Sequence, residues 1–448
     1  MTDSKTKGIA SASPSSAEVQ AGLPGAPSEV EEVLRNAGID ADRLAIAYVG
    51  KGRPQAVHVQ WAVRLSLGFL LWLVAQTLDA AGMQFPGWLN AAFTLTIGLL
   101  VLQAACDALV TASSRMAVRL EWDHYVAGTV AEILATVPEL VVIGFLIPVS
   151  PVAAFVIALI TVYNNALVFS VYSYFLPKDR HGKFIMPQPI TGAGTQVLVA
   201  GAAMGLILGL VMLAMSASEH SKNSFAPIDL ISAGVLLLSV FVVYIHKLLT
   251  EYAKEEALVS DVLELTPDQA EERRALTFAR VHDSRWPLIT AYLATGAIGA
   301  ALGGHQVAQF AEIAIGDLEL NHMVTALVLA GFAGMSEYVI LWQSHRKAEY
   351  GIALANSFGG ITQVMFLVFP FTLIAIGVYQ SLINPTHPEL PILFSFSNLL
   401  LLLFLFPMLF VLVELLKEDH TLGILDTTIM VAIFALLIVL LLTYGAQI

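Results

Sequence analysis

The chain has 448 residues, 57% of them hydrophobic and 13% charged, with a formal net charge of -13 and a mean hydropathy of +0.75. Soluble globular domains carry roughly 25% charged residues, so this composition excludes an ordinary soluble fold and implies an integral membrane protein of many helices. The acidic balance argues against a nucleic-acid partner, and one cysteine, Cys106, excludes an internal disulfide and reads as a packed thiol.

In chain order, residues 1–58 read as a cytoplasmic amino-terminal tail. Their Ser-, Ala-, Pro- and Gly-rich first half lacks the apolar core of a signal peptide, and one short helix is predicted after Pro27. Eleven apolar segments follow, at about 61–81, 88–112, 124–148, 151–176, 193–216, 228–249, 286–305, 322–344, 350–379, 391–416 and 422–444. Membrane β-barrels alternate apolar and polar residues over about ten positions, which these runs do not, so the predicted class is all-α with about eleven transmembrane helices. The Gly and Ala residues of 201–209 suit close helix packing. Residues 250–285 form an acidic linker between six spans and five, assigned to solvent.

Lys and Arg fix the orientation. With the amino terminus in the cytoplasm, Arg115, Arg119, Lys178, Arg180, Lys183, the basic residues from Lys247 to Arg285, Arg346, Lys347 and Lys417 share the cytoplasmic side, while Lys222 alone lies opposite. The expected place is therefore the cytoplasmic membrane, multi-pass, carboxyl terminus outside. The loop 306–321, with Glu312, Asp317 and Glu319, falls outside as well.

Chemistry concentrates in two of the spans. Within 124–148 lie Glu132, Thr136, Pro138 and Glu139, and within 322–344 lies Glu337. Carboxylates at membrane depth are costly and usually mark an ion path or binding site. Glu139 is followed 26 residues later by Asn165, and Glu337 by Gln363 at the same distance. If 61–81 is an extra first helix, the remainder divides into five spans (88–249) and five (286–444). Five is odd, so the second set runs inverted, as in many secondary transporters.

Acids and amides at matched positions favour a cation, since carboxylate, amide, hydroxyl and backbone oxygens complete the shell of a hard ion. Glu139 and Glu337 are the expected cation-binding and proton-competing groups, and a bound divalent ion would displace their protons. Asn165 and Gln363 are expected beside them, with Asn164 and Thr362 adjoining. Glu132, seven residues before Glu139 on roughly the same helix face, either joins the site or serves a proton relay or a structural bond. Thr136 either donates an oxygen or bonds its own helix. Pro138 is expected to free a carbonyl near Leu134, where the helix can break, and Gly359 and Gly360 to allow close backbone approach. Asp107, Asn356, Asn398 and Asp426 are expected to bridge helices or sit near aqueous ends.

At these residues the chain resembles the cation/calcium antiporter superfamily of sodium/calcium and calcium/proton exchangers. Thr136-Val-Pro-Glu139 resembles the first of that family's two α-repeats. Met335-Ser-Glu337, Arg346-Lys347, Gly359-Gly-Ile-Thr-Gln363 and Phe369-Pro370 are similar to the second repeat of its proton-coupled branch. The resemblance covers about 90–444. Ala333-Gly334, Thr161-Val-Tyr and Gly360 stand where the family has Gly-Asn, Gly-Ser and Ser. It implies exchange of Ca²⁺ or a related cation for H⁺ or Na⁺, with no enzymatic activity and no tightly bound cofactor. The expected partners are small inorganic cations and membrane lipid; nothing in the sequence assigns an oligomeric state. A same-scaffold transporter for another ion and a non-transporting membrane regulatory or structural protein are the alternatives.

Overall fold

The computed structural model describes residues 60–82, 85–120, 124–176, 184–186, 190–218, 224–248, 250, 285–320, 322–334, 337–338, 341–342, 345, 350–383, 392, 394–417 and 421–444. The predicted tail, almost all of the acidic linker, and the Arg346-Lys347 pair lie outside the described residues.

The protein is all-α and polytopic. In chain order the helices are α1 (Gln60–Ala80), α2 (Gly87–Arg119), α3 (His124–Leu146), α4 (Pro151–Tyr172), α5 (Thr195–Ser216), α6 (Pro227–Lys247), α7 (Trp286–Gly316), α8 (His322–Ala333), α9 (Tyr350–Gln363), α10 (Phe369–Val378), α11 (Phe396–Lys417) and α12 (Ile424–Tyr444). Among the described residues, eight helical segments are long and apolar enough to cross a membrane. α9 and α10 are joined through a π-helical turn, Val364–Val368, so that 350–378 is continuous.

Two helices differ from the sequence expectation. α2 continues to Arg119 and α7 to Gly316, so most of the predicted 306–321 loop is helix. The polar residues Gln306, Gln309 and Glu312 recur every third position and occupy one side of the helix, with Gln306 Nε2 donating to Gln309 Oε1 at 2.9 Å. Val307, Phe310, Ala311 and Ala314 keep the core side apolar. A two-residue antiparallel ribbon, Phe184–Ile185 (β1) with Thr421–Leu422 (β2), was also unpredicted; Phe184 pairs with Leu422 and Ile185 with Thr421.

α4 is the axis of the bundle. Apolar on nearly every side, it is a helix that must be surrounded by protein, and it is started by Ser150, whose side chain accepts from Ala153 N at 3.2 Å, and by Pro151 at its first position. Around it pack α8, α9, α10 and α12, with Phe155 against Phe369 at 5.8 Å and Phe169 against Phe358 at 5.7 Å between ring centroids. Tyr163 on α4 donates its hydroxyl to the Leu401 carbonyl on α11. α5 lies along α11 and α6 along α10; at Gly205 and Gly209 of α5 an added methyl would meet Leu405 and Leu403 at 2.9 and 2.7 Å, which is the close packing expected of 201–209.

The two longest helices, α2 and α7, lie side by side, and α1 is bound to them. Arg64 donates to Asp107 at 2.9 Å, Trp61 meets Tyr292 edge-on at 5.4 Å, and Arg115 lies 4.9 Å over the Tyr292 ring. Asp107 thus bridges helices. Arg64→Leu leaves that carboxylate without its guanidinium at membrane depth; a lower unfolding temperature in detergent is expected, partly restored by adding Asp107→Leu. An unchanged melting curve for the single variant would show that the pair contributes nothing, as many exposed pairs do.

A buried carboxylate and amide cluster

α3, α4, α8 and α9 bring the predicted polar residues together. On α3, Glu132, Thr136 and Glu139 recur at spacings of four and three, on one side of the helix. Gln363, at the end of α9, is the hub of the first group. Its Nε2 donates to Glu132 Oε2 at 2.8 Å, and its Oε1 accepts from the Thr136 hydroxyl at 2.6 Å. Thr136 Oγ1 is also within 2.9 Å of the Glu132 carbonyl. Thr136 thus bonds its own helix and also reaches across to α9.

The second group surrounds Glu337. A methyl added to Gly360 would lie 2.6 Å from Glu337 Oε2 and 2.9 Å from Asn165 Nδ2, which places that carboxylate and that amide together against a bare stretch of α9 backbone. A methyl on the neighbouring Gly359 would lie 2.9 Å from Glu132 Cδ. Two successive glycines thus let two carboxylates from different helices rest on one helix. Thr362 sits on the same turn and is buried, its hydroxyl donating to the Gly359 carbonyl at 2.9 Å. Gly360→Ala pushes Glu337 and Asn165 apart; the expected outcome is loss of at least tenfold in any cation affinity of the site, the effect of about 1.4 kcal/mol, measurable by Ca²⁺ titration.

Asn164 faces the other way, donating to the Ala330 carbonyl at 3.2 Å and to the Tyr338 hydroxyl, so it ties α4 to α8 and to the residue following Glu337. Asn356 donates to the Glu337 backbone carbonyl at 3.3 Å. Tyr338 and Asn356 hold the Glu337 segment. Sequence reasoning passed over Tyr338, although its place next to a membrane-depth acid was a signal, and set Asn356 aside as a helix bridge.

Glu139 stands apart from these bonds. It is 8% exposed, and among the described residues neither of its oxygens has a hydrogen-bond partner. Asn165 is 1% exposed, its amide lying beside the Glu337 carboxylate. Glu139 lines a cavity of about 50 Å³ that also reaches α2 and α7. The three carboxylates act on one another electrostatically, Glu337 on both Glu132 and Glu139, and among the described residues none of them forms an ion pair with Lys, Arg or His. Buried like charges without cations require protons or metal ions to neutralise them.

One correction to the sequence reading follows. Pro138 does not end its helix: α3 runs on from His124 to Leu146 with the proline inside it. The irregular backbone comes instead in the π-helical Val364–Val368, immediately after Gln363. The amides, moreover, serve the opposite half of the chain: Gln363 bonds Glu132, and Asn165 lies against Glu337. The equal 26-residue spacings place Asn165 and Gln363 at corresponding positions and leave open which acid each one meets.

These features define an all-α multi-span membrane protein with a buried, uncompensated carboxylate and amide cluster between two sets of helices. Residues 288–443 match the family model for sodium/calcium exchanger protein. It shares its fold with the crystal structure of an H⁺/Ca²⁺ exchanger, CAX, at a TM-score of 0.60 and 13% identity over 86% of this chain and 88% of that one. Native YfkE superposes at a TM-score of 0.57 and 11% identity, covering 85% and 98%. No curated protein sequence matches the chain.

Proposed function

We propose that the protein is a secondary active antiporter of the cytoplasmic membrane, exchanging Ca²⁺ or a related cation for H⁺ or Na⁺ at the carboxylate cluster. The observation that carries this reading is the set of three interacting carboxylates, Glu132, Glu139 and Glu337, without a cation among the described residues to neutralise them. Protons and a divalent metal ion are alternative ways to balance the same charge, and competition between them is sufficient for exchange. Glu337 and Glu139 are the cation-binding groups in this reading; Asn165, Gln363, Thr136 and Thr362 supply neutral oxygens or position the acids. Glu132, held by Gln363, belongs with them. The fold relatives, an H⁺/Ca²⁺ exchanger and a Ca²⁺/H⁺ antiporter, favour H⁺ as counter-ion.

Eleven spans, with α1 outside two inverted sets of five, accord with the packing. The first helices of the two sets, α2 and α7, pack together, as do the fourth, α5 and α11. The contact of α3 with α9 is mirrored by that of α8 with α4, and the contact of α6 with α10 by that of α12 with α4. A pseudo-two-fold relation accounts for all of these, and alternating access then exposes the midplane site to each side in turn. The distribution of basic residues supports an amino terminus in the cytoplasm and a carboxyl terminus outside.

If protons and Ca²⁺ compete for the same carboxylates, acidifying the medium raises the Ca²⁺ concentration needed for half-maximal flux without lowering the maximum. Flux measured in proteoliposomes over a range of external pH tests this. An acid-induced fall in the maximum alone, at unchanged half-saturation, would speak against competition.

A further inference from the structure

Asn164 and Asn165 are neighbours on α4, about 100° apart around the helix, and each meets a different residue of the segment that follows α8. Asn165 Nδ2 lies with the Glu337 carboxylate against Gly360. Asn164 Nδ2 donates to the Tyr338 hydroxyl and, at 3.2 Å, to the Ala330 carbonyl. Adjacent residues of one helix thus grip adjacent residues of the chain opposite. The Tyr338 ring folds back over the preceding turn. Its backbone N–H donates to the Gly334 carbonyl at 3.1 Å, and a methyl on Gly334 would meet its hydroxyl at 2.7 Å and its Cζ at 2.9 Å, so the bare glycine is what admits the ring. From α9, Asn356 Nδ2 donates to the Glu337 backbone carbonyl at 3.3 Å. Three asparagines therefore meet Glu337 at its carboxylate, at its backbone and through the next side chain, whereas Glu139 has no hydrogen-bond partner among the described residues.

We propose that Tyr338 is a positioning residue for the cation-binding carboxylate: bonded to Asn164, it holds Glu337 in place over Gly360 and thereby sets the cation affinity of the site. This rests on the antiport reading above and deepens it. A side chain that must be ordered when an ion binds lowers the affinity, and one already held in place does not. The phenol acts through Glu337 and not as a ligand, because its hydroxyl is turned to Asn164 and Gly334. The bond joins α4, from the first half of the chain, to a residue of the second, so it also ties the acid to the helix at the centre of the bundle.

The test compares the purified full-length wild type with Tyr338→Phe, Asn164→Leu and the double variant, by equilibrium binding of radioactive Ca²⁺ and by Ca²⁺ flux in proteoliposomes. Tyr338→Phe keeps the ring on Gly334 and removes the hydroxyl alone. Each single variant is expected to raise the dissociation constant and the half-saturating Ca²⁺ concentration about tenfold, equivalent to about 1.4 kcal/mol, at unchanged maximal flux. The double variant is expected to bind no more weakly than Asn164→Leu, because the second change finds no bond left to break. A merely structural brace would lower the melting temperature and leave half-saturation where it was. That result, failure of both single variants to fold, a fall in maximal flux at unchanged affinity, or single effects that multiply in the double variant overturns the positioning role. The antiport reading survives each of these provided the wild type exchanges Ca²⁺ in vesicles; it fails separately if the wild type neither binds nor moves Ca²⁺.

Discussion

Glu337→Gln is expected to abolish cation exchange in proteoliposomes, and Glu139→Gln to do the same or nearly so. The amide keeps the shape of the side chain and removes the charge that a cation or a proton neutralises. At Glu337 that charge lies against the Gly359–Gly360 turn of α9, beside Asn165 and in electrostatic contact with both other acids. No other described residue takes over its position, so the loss is expected to reach the detection limit, at least a hundredfold, equivalent to about 2.7 kcal/mol. Substitution at Glu139 removes the one charge that the described residues place on the cavity wall. Both variants keep the helices intact and should express and elute as the wild type does. Unchanged exchange in both would remove these residues from the site.

Gln363→Leu is the second large effect. The side chain donates to Glu132 and accepts from Thr136, so its removal leaves one carboxylate and one hydroxyl at membrane depth without that partner. Orphaned buried polar groups cost about 1–3 kcal/mol each, more for charged ones, which predicts a loss of roughly tenfold to several hundredfold in exchange and a lower unfolding temperature. Gln363→Glu is informative alongside it, because it sets a fourth carboxylate directly against Glu132. That variant should hold a divalent ion more tightly than Gln363→Leu if the cluster binds cations, and be the less stable of the two in the absence of Ca²⁺. Exchange at wild-type level in Gln363→Leu would mean that Glu132 and its partners lie off the ion's path.

Which parts of this were legible in the sequence follows from which signals are local. Helix positions come from apolar runs, and the runs end where charge or proline appears; that is why the segments at 61–81 and 228–249 agree closely with α1 and α6. α2 and α7 extend past their predicted ends because their last turns are amphipathic rather than polar throughout, and a hydropathy reading stops where one side turns polar. The β1–β2 ribbon joins residues more than two hundred positions apart through two pairs, too short a stretch to leave any period. In the cluster, residue types were readable: acids where hydrocarbon is expected, and amides at matching distances. Their partners were not, since a spacing of 26 says that Asn165 and Gln363 occupy corresponding places and not which helix each one faces. Packing decides that. α4 rests on α8 and α9 rests on α3, so Asn165 goes to Glu337 and Gln363 to Glu132. Glu132, ambiguous from its place one face-repeat before Glu139, becomes a cluster member only because Gly359 leaves room for its carboxylate.

The central claim is exchange, and obligatory countertransport tests it most directly. Vesicles containing the purified full-length protein are loaded with radioactive Ca²⁺, and efflux is followed with and without an external counter-ion, H⁺ and Na⁺ being supplied in turn. The account predicts efflux only when one of the counter-ions, or external Ca²⁺, is present, and accumulation of Ca²⁺ against its gradient when a counter-ion gradient is imposed. Efflux that follows the Ca²⁺ gradient alone, with no counter-ion on the other side, would make the protein a channel, and no Ca²⁺ movement under any gradient would contradict the account.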